Sequence, residues 1–240
     1  MADENAADED PQIHRGLNGV YFDRSATSFI DGREGVLLYR GYSIHDLASE
    51  STFEEVGYLL LYGELPNASE LANFKIELTG ARELPGGVLD VIRAVSNAHP
   101  MDVLRTATSA LAAFDPDVED NSREATLRKS VRLTEQVPSI VAAHHRIRNG
   151  LDPVEPDAEL GHAASFLYLL NGERASDDAV GLIDKDAILH AEHGANASAF
   201  RIPRVESVSG VCKVMKSARP KRSSSSTFST PISTARSAER

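Results

Sequence analysis

Cysteine is nearly absent from this chain. Cys212 is the only one in 240 residues, which excludes an internal disulfide framework and any zinc site built on several thiolates. Tryptophan is missing and aromatic residues make up only 6%. Lysine is scarce, with Lys75, Lys129 and Lys185 alone before residue 201. No apolar run approaches the roughly 18 to 20 residues needed to span a bilayer, so no membrane contact is expected. Met1 to Asp10 is acidic and carries no apolar stretch, unlike a secretory signal, and a cytoplasmic protein is expected. Histidine does not occur after His193, and aspartate does not occur in residues 201–240.

What is present divides at about residue 200. The 25 Lys/Arg and 36 Asp/Glu give a net charge of −11. Residues 201–240 hold nine of the basic and two of the acidic residues, a balance of +7, so residues 1–200 carry 16 against 34, or −18. A body that acidic repels phosphates, which argues against a nucleic-acid partner. It suits a high-salt cytoplasm, where self-repulsion is screened.

Residues 1–11 are acidic and Ala-rich and are expected to be disordered. Two strand-like runs, Gly19-Val20-Tyr21-Phe22 and Val36-Leu37-Leu38-Tyr39, with a turn at Asp31-Gly32, predict a short β-hairpin. The rest, up to residue 200, reads as about seven helices and an all-α domain. Ser51 is the expected cap of a helix that stops at Gly63, and Ser69 of the next. Pro85 and Pro100 open two more. Ser122 to Arg148 forms a long segment in which Pro138 predicts a kink or a break. Pro156-Asp157 is expected to begin a helix ending at Asn171-Gly172, and Ser176 to cap the last one. Residues 201–240 are Ser- and Arg-rich, punctuated by Pro203, Pro220 and Pro231, and are expected to be a disordered tail.

The densest cluster of polar chemistry ends the helical part, at Leu189-His190-Ala191-Glu192-His193-Gly194-Ala195-Asn196-Ala197-Ser198. If the last helix continues, His190 and His193 share a face three residues apart, with Asn196 three further on. Such a group can donate hydrogen bonds to a carbonyl or carboxylate oxygen and hold an oxoacid. Hydrogen-bonded core histidines remain an open alternative. No metal is expected, because Glu192 points off the shared face and the spacing is not His-Glu-x-x-His. His144-His145 reads as helix packing and His99-Pro100 as a pre-helix turn.

Five elements in order resemble the citrate synthase family over about residues 12–200. They are Gly16-Leu17-x-Gly19-Val20 with Ile30-Asp31-Gly32; Leu38-Tyr39-Arg40-Gly41-Tyr42-Ser43-Ile44; Phe53-Glu54-Glu55-Val56 through Leu60-Leu61-Tyr62-Gly63-Glu64-Leu65-Pro66; His99-Pro100-Met101-Asp102-Val103-Leu104-Arg105; and the histidine cluster itself. The variants are similar to the archaeal and bacterial short form, and the acidic body to a haloarchaeal member. The resemblance implies a multi-helical large domain followed by a small domain, working as a homodimer. It implies condensation of acetyl-CoA with oxaloacetate and water to citrate and CoA in the tricarboxylic acid cycle, with no cofactor beyond the acetyl-CoA substrate. It assigns His193, the second histidine of its motif, to oxaloacetate; Asn196 and His190, placed near it by the helical spacing, are the other expected substrate-binding residues.

The family's other groups are a histidine in Gly-Pro-Leu-His-Gly, another in Gly-x-Gly-His and an aspartate base. None of these occurs after Phe200. The expectation is a truncated or frameshifted form, its small domain missing and with no catalytic residue of its own. Two alternatives are an active 2-methylcitrate or citrate synthase-type acyltransferase, and a non-catalytic partner that dimerises with a full-length synthase.

Overall fold

The structure, a computed structural model, describes residues 25–192. The expected Gly19–Phe22 strand, the acidic residues 1–11 and the basic residues 201–240 lie outside the described residues.

Asp31 sets the first turn, its Oδ1 accepting the amides of Arg33 at 2.9 Å and Glu34 at 3.2 Å. That turn joins β1 (Ser28–Asp31) to β2 (Val36–Tyr39). The two pair antiparallel, Ser28 opposite Tyr39 and Asp31 opposite Val36. The partner of the Val36–Tyr39 run is therefore the residues just before the turn. A second tight turn leads to β3 (Tyr42–Ser43), giving a three-stranded sheet in the order β1-β2-β3. Its two central residues, Arg40 at φ 50° and Gly41 at φ 95°, are both left-handed. A two-residue hairpin loop favours this pair of positive angles, because its twist then matches that of the strands. Arginine is an uncommon choice there. Its amide donates to the Thr27 carbonyl at 2.8 Å, and its guanidinium donates to the Leu60 carbonyl at 3.0 Å and the Ala26 carbonyl at 3.3 Å. The arginine is kept by what its side chain reaches across the fold.

Eight helices follow among the described residues: α1 (Ile44–Glu50), α2 (Phe53–Tyr62), α3 (Ala68–Gly80), α4 (Gly86–Ala94), α5 (Pro100–Leu111), α6 (Arg123–Arg148), α7 (His162–Asn171) and α8 (Asp177–Leu189). No described helix is long and apolar enough to cross a membrane. The cap of α2 is Thr52, one residue after the expected Ser51, which instead closes α1. Thr52 and Glu55 form a reciprocal capping box, with Glu55 Oε2 accepting the Thr52 amide at 2.8 Å. Asn67 and Glu70 do the same for α3, where Ser69 was expected. In both cases the carboxylate three positions after the cap satisfies a second free amide; Ser69 has Ala72 at that place, and Glu54, three residues after Ser51, instead accepts the His162 amide. Thr52→Ala should therefore cost about 1 kcal/mol. Ser51→Ala should stay within about 0.5 kcal/mol. Urea titration of the two variants checks the assignment, and equal losses would count against it.

The long helix α6 runs without a break through Pro138. Proline removes the amide that would bond to Thr134. The Ser139 hydroxyl adds a donor in this turn, reaching the Glu135 carbonyl at 2.9 Å. α6 is the spine of the molecule. Ile140 and Ala143 pack with Val88 and Ile92 of α4 and Val103, Ala107 and Leu111 of α5. Val131, about two and a half turns before Ile140, packs with Phe74 and Leu78 of α3. A third cluster joins β2, α1, α2 and α8 through Tyr39, Ile44, Leu47, Val56, Leu59 and Ile188.

The expected start of α7 at Pro156-Asp157 is six residues too early. The carbonyls of Asp157 and Leu160 are taken by Arg82, at 3.3 and 2.6 Å, so this stretch folds around a guanidinium instead of coiling. Gly161 is the cap of α7 and offers it no side chain. Glu54 of α2 takes over, accepting the His162 amide at 3.0 Å and placing a carboxylate where the helix dipole favours one. A Cβ on Gly161 would come within 2.9 Å of that same oxygen.

Candidate functional site

α8 delivers the histidine cluster. Ser176 caps it, accepting the Ala179 amide at 3.4 Å, with Asp177 and Asp178 in its first turn. Ile188 is fully buried against the β2–α1–α2 cluster, which fixes the end of the helix against the sheet. The helix stops at Leu189, with His190 as its C-cap. The helical spacing that would put His190 and His193 on one face is therefore not maintained after Leu189. The structure places His190 at the surface, 75% of its side chain exposed. Its Nδ1 lies 2.9 Å from the Asp186 carbonyl, so Nδ1 carries the proton and Nε2 is the ring's open nitrogen. His193 and Asn196 lie outside the described residues.

The turn after α8 is held from the sheet. Tyr39 is fully buried, and its hydroxyl stands 3.1 Å from the Leu189 carbonyl and 3.3 Å from the Glu192 carbonyl, either of which accepts from it. The same oxygen accepts the Glu192 amide at 3.3 Å. Burial first, and the nearby Glu192 charge, hold the phenol above its ordinary pKa, while the Glu192 backbone bond opposes them. The hydroxyl thus remains a donor at neutral pH. Thr27, beside β1, donates its hydroxyl to Glu192 Oε1 at 3.0 Å. Glu192 Oε2 and Arg40 Nε are both buried and, among the described residues, without a hydrogen-bond partner. Burial, then Arg123, lowers the Arg40 pKa, and Glu192 works against them.

A second group of charges lies deeper. Arg82 Nε donates to Glu135 Oε2 at 2.9 Å, and His162 Nδ1 donates to Glu135 Oε1 at 2.8 Å. Phe53 stacks on the His162 ring at 4.1 Å between centroids. Burial pushes Glu135 up, but the His162 bond and charge and the Arg82 charge outweigh it, so its carboxyl sits below the usual range. Every member bonds to protein groups, and the set ties α2, α6 and α7 to the segment before α7. It is a frame rather than a site. His144 is likewise packed, its Nε2 donating to the Ser96 carbonyl at 3.1 Å, and His99 caps α5 by accepting the Met101 amide. An open cleft of about 510 Å³ lies between α2, α3 and the segment before α7, lined by Glu54, Lys75, Thr79 and Arg82. Neither His190 nor Glu192 lines it. Among the described residues no three His, Cys, Asp or Glu side chains group closely enough to hold a metal ion.

The family model described as "Citrate synthase, C-terminal domain" matches residues 16–209, which is most of the chain. The chain belongs to the citrate synthase family. It is 48% identical over 194 residues to the citrate synthase of Haloferax volcanii, covering 79% of this chain and 51% of that one. It is 42% identical over 194 residues to the 2-methylcitrate synthase of Mycobacterium tuberculosis, covering 80% and 49%. The chain thus spans about half the length of the curated relatives it matches. The crystal structure of citrate synthase from Pyrobaculum aerophilum superposes with a TM-score of 0.77 at 38% identity, over 84% of this chain and 54% of that one. A ternary complex of a Thermoplasma acidophilum citrate synthase with carboxymethyl coenzyme A and oxaloacetate has a TM-score of 0.75 at 24% identity, a likeness of fold. The citrate synthase-like helical fold is therefore what the five sequence elements pointed to. The anchoring of Glu192 by Tyr39 has no signal in the sequence, because the two residues lie 153 positions apart.

Proposed function

We propose that this chain carries the oxaloacetate side of a citrate synthase-type site, with His193 as the principal ligand and Asn196 and His190 beside it. The observation that carries this is the Leu189-His190-Ala191-Glu192-His193-Gly194-x-Asn196 element at the end of α8, in a chain of this family. The exposed His190 ring stands at the end of α8 beside this element, in keeping with a place at the edge of the site. The full reaction is condensation of acetyl-CoA with oxaloacetate and water to citrate and CoA, in the tricarboxylic acid cycle of the cytoplasm. The acidic body suits a salt-rich one. A homodimer, or a dimer with a full-length homologue, is the proposed assembly.

These 240 residues do not complete that reaction on their own. The acetyl methyl is a very weak acid, and taking its proton needs a base and donors aimed at the growing enolate oxygen. The family's Gly-Pro-Leu-His-Gly and Gly-x-Gly-His elements and its aspartate base do not occur in residues 201–240. The 240-residue polypeptide should therefore bind oxaloacetate in a calorimeter, lose that binding on His193→Ala, and release no CoA from acetyl-CoA in a thiol assay. CoA release abolished by His193→Ala would overturn the second half of this reading. Absence of oxaloacetate binding would overturn the first. The likeness to a 2-methylcitrate synthase supports propionyl-CoA as a second acyl donor for the complete site.

A further inference from the structure

The cleft between α2, α3 and the segment before α7 keeps two opposite charges apart. Glu54 of α2 lines it and is 5% exposed. One of its oxygens accepts the His162 amide at 3.0 Å, and the other has no hydrogen bond among the described residues. Lys75 of α3 lines the same cleft and is exposed. It is one of only three lysines before residue 201. Among the described residues neither Lys75 nor Glu54 forms an ion pair, with the other or with any third group. A carboxylate so far out of water is costly to leave without a counter-charge, and the start of α7 offsets only part of that cost. Thr79, four residues after Lys75 and so on the same side of α3, also lines the cleft. Its hydroxyl has no partner among the described residues. Arg82 spends Nε on Glu135 and Nη1 on the Asp157 and Leu160 carbonyls, which leaves the two N–H groups of Nη2. Ile76, 71% exposed, and Leu160 add apolar wall. The volume of about 510 Å³ lies in the range of small-molecule sites, about 300 to 1,000 Å³.

We propose that this cleft binds a small zwitterion, an α-amino acid with an apolar side chain. Its ammonium group lies against the open oxygen of Glu54, its carboxylate against Lys75 and Thr79, and its side chain against Ile76 and Leu160. The choice follows from the charges. A simple anion would meet the Glu54 carboxylate, and a simple cation would meet Lys75. A ligand that carries both charges gains at each wall, and its ammonium supplies the counter-charge that the fold withholds from Glu54. Arg82 is not the main anchor, because Glu135 already neutralises it. Neither His190 nor Glu192 lines the cleft, so the site is separate from the histidine turn and does not depend on the oxaloacetate reading.

The test is calorimetric titration of the full chain with L-leucine and with its two halves. Isocaproate lacks the ammonium group and isoamylamine lacks the carboxylate, so each should bind about tenfold more weakly than leucine, the scale of one lost charged hydrogen bond. Lys75→Met changes an exposed side chain and leaves the bonds among Arg82, Glu135 and His162 in place. It should weaken leucine about tenfold and leave isoamylamine unaffected. Glu54→Gln keeps an acceptor for the His162 amide and removes the charge, so it should erase the preference for leucine over isocaproate. His190→Gln should change nothing. Absence of leucine binding to wild type overturns the proposal. So do equal affinities for leucine and isocaproate, or leucine binding that Lys75→Met does not alter. If Glu54→Gln does not fold, the Lys75→Met comparison decides, because Lys75 takes no part in the packing of α2 on α7.

Discussion

Glu135→Ala is expected to cost about 3 to 5 kcal/mol of folding stability, the scale for breaking one side of a buried ion pair. Arg82 and Glu135 are only 2% and 3% exposed, so water screens neither. The carboxylate is shared, one oxygen to Arg82 Nε at 2.9 Å and the other to His162 Nδ1 at 2.8 Å. Removing it leaves a buried guanidinium and a buried imidazole facing a void. A domain of this kind holds only about 5 to 15 kcal/mol in total, so the variant should unfold at a much lower urea concentration. Two controls separate this from a simple cavity. Arg82→Met with Glu135→Leu removes both charges while keeping volume, and should recover much of the loss. Salt should not change the cost, because buried pairs are little screened.

The pH dependence of that variant has a definite sign. Glu135 titrates lower in the folded chain than in an unfolded one, since His162 and Arg82 overcome the burial that would raise it. Its contribution is therefore complete above the ordinary carboxylate range and is lost as the pH falls through the folded value. The gap between wild type and Glu135→Ala should narrow on acidification. A gap that is constant with pH, or below about 1 kcal/mol at neutral pH, would show that the charges do not act as described.

The parts of the fold legible in the sequence are those written locally. Gly63 and Gly172 end their helices with positive φ, at 105° and 86°, as expected of residues without a Cβ. Pro100 stands at the start of α5 and Ser122 and Ser176 cap α6 and α8. The errors arise where a distant side chain competes for backbone groups. Nothing near Pro156 announces that Arg82 will take two carbonyls and delay α7 to His162. Nothing local to Glu54 or Glu135 announces that they are buried, at a helix start and in an ion network. Pro138 reads as a break, but α6 packs on both sides of it, through Val131 and Ile140, and tertiary contact outweighs the one lost bond. The same limit applies at the candidate site. The histidine motif could be read directly, but the end of α8 at Leu189 and the Tyr39 anchor could not. They depend on a strand laid down 150 residues earlier.

Ile188→Ala is the second large effect, and it reaches function through stability. Ile188 is fully buried among Tyr39, Ile44, Leu47, Val56 and Leu59, so the truncation should cost about 2 to 5 kcal/mol through lost burial and the cavity left behind. Leu182, one and a half turns earlier on the same helix, is 69% exposed, and Leu182→Ala should stay within about 0.5 kcal/mol. The contrast follows from which face of α8 meets the sheet. Ile188 also directly precedes Leu189, whose carbonyl accepts from Tyr39. Loss of its packing frees the end of α8 from the element that anchors Glu192. Ile188→Val, expected to cost about 0.5 to 1.5 kcal/mol, keeps the fold while loosening that contact. It should weaken oxaloacetate binding more than Leu182→Ala does, at matched fractions of folded protein. Equal affinities for the two would mean that the end of α8 is placed by contacts other than the Tyr39–Ile188 cluster.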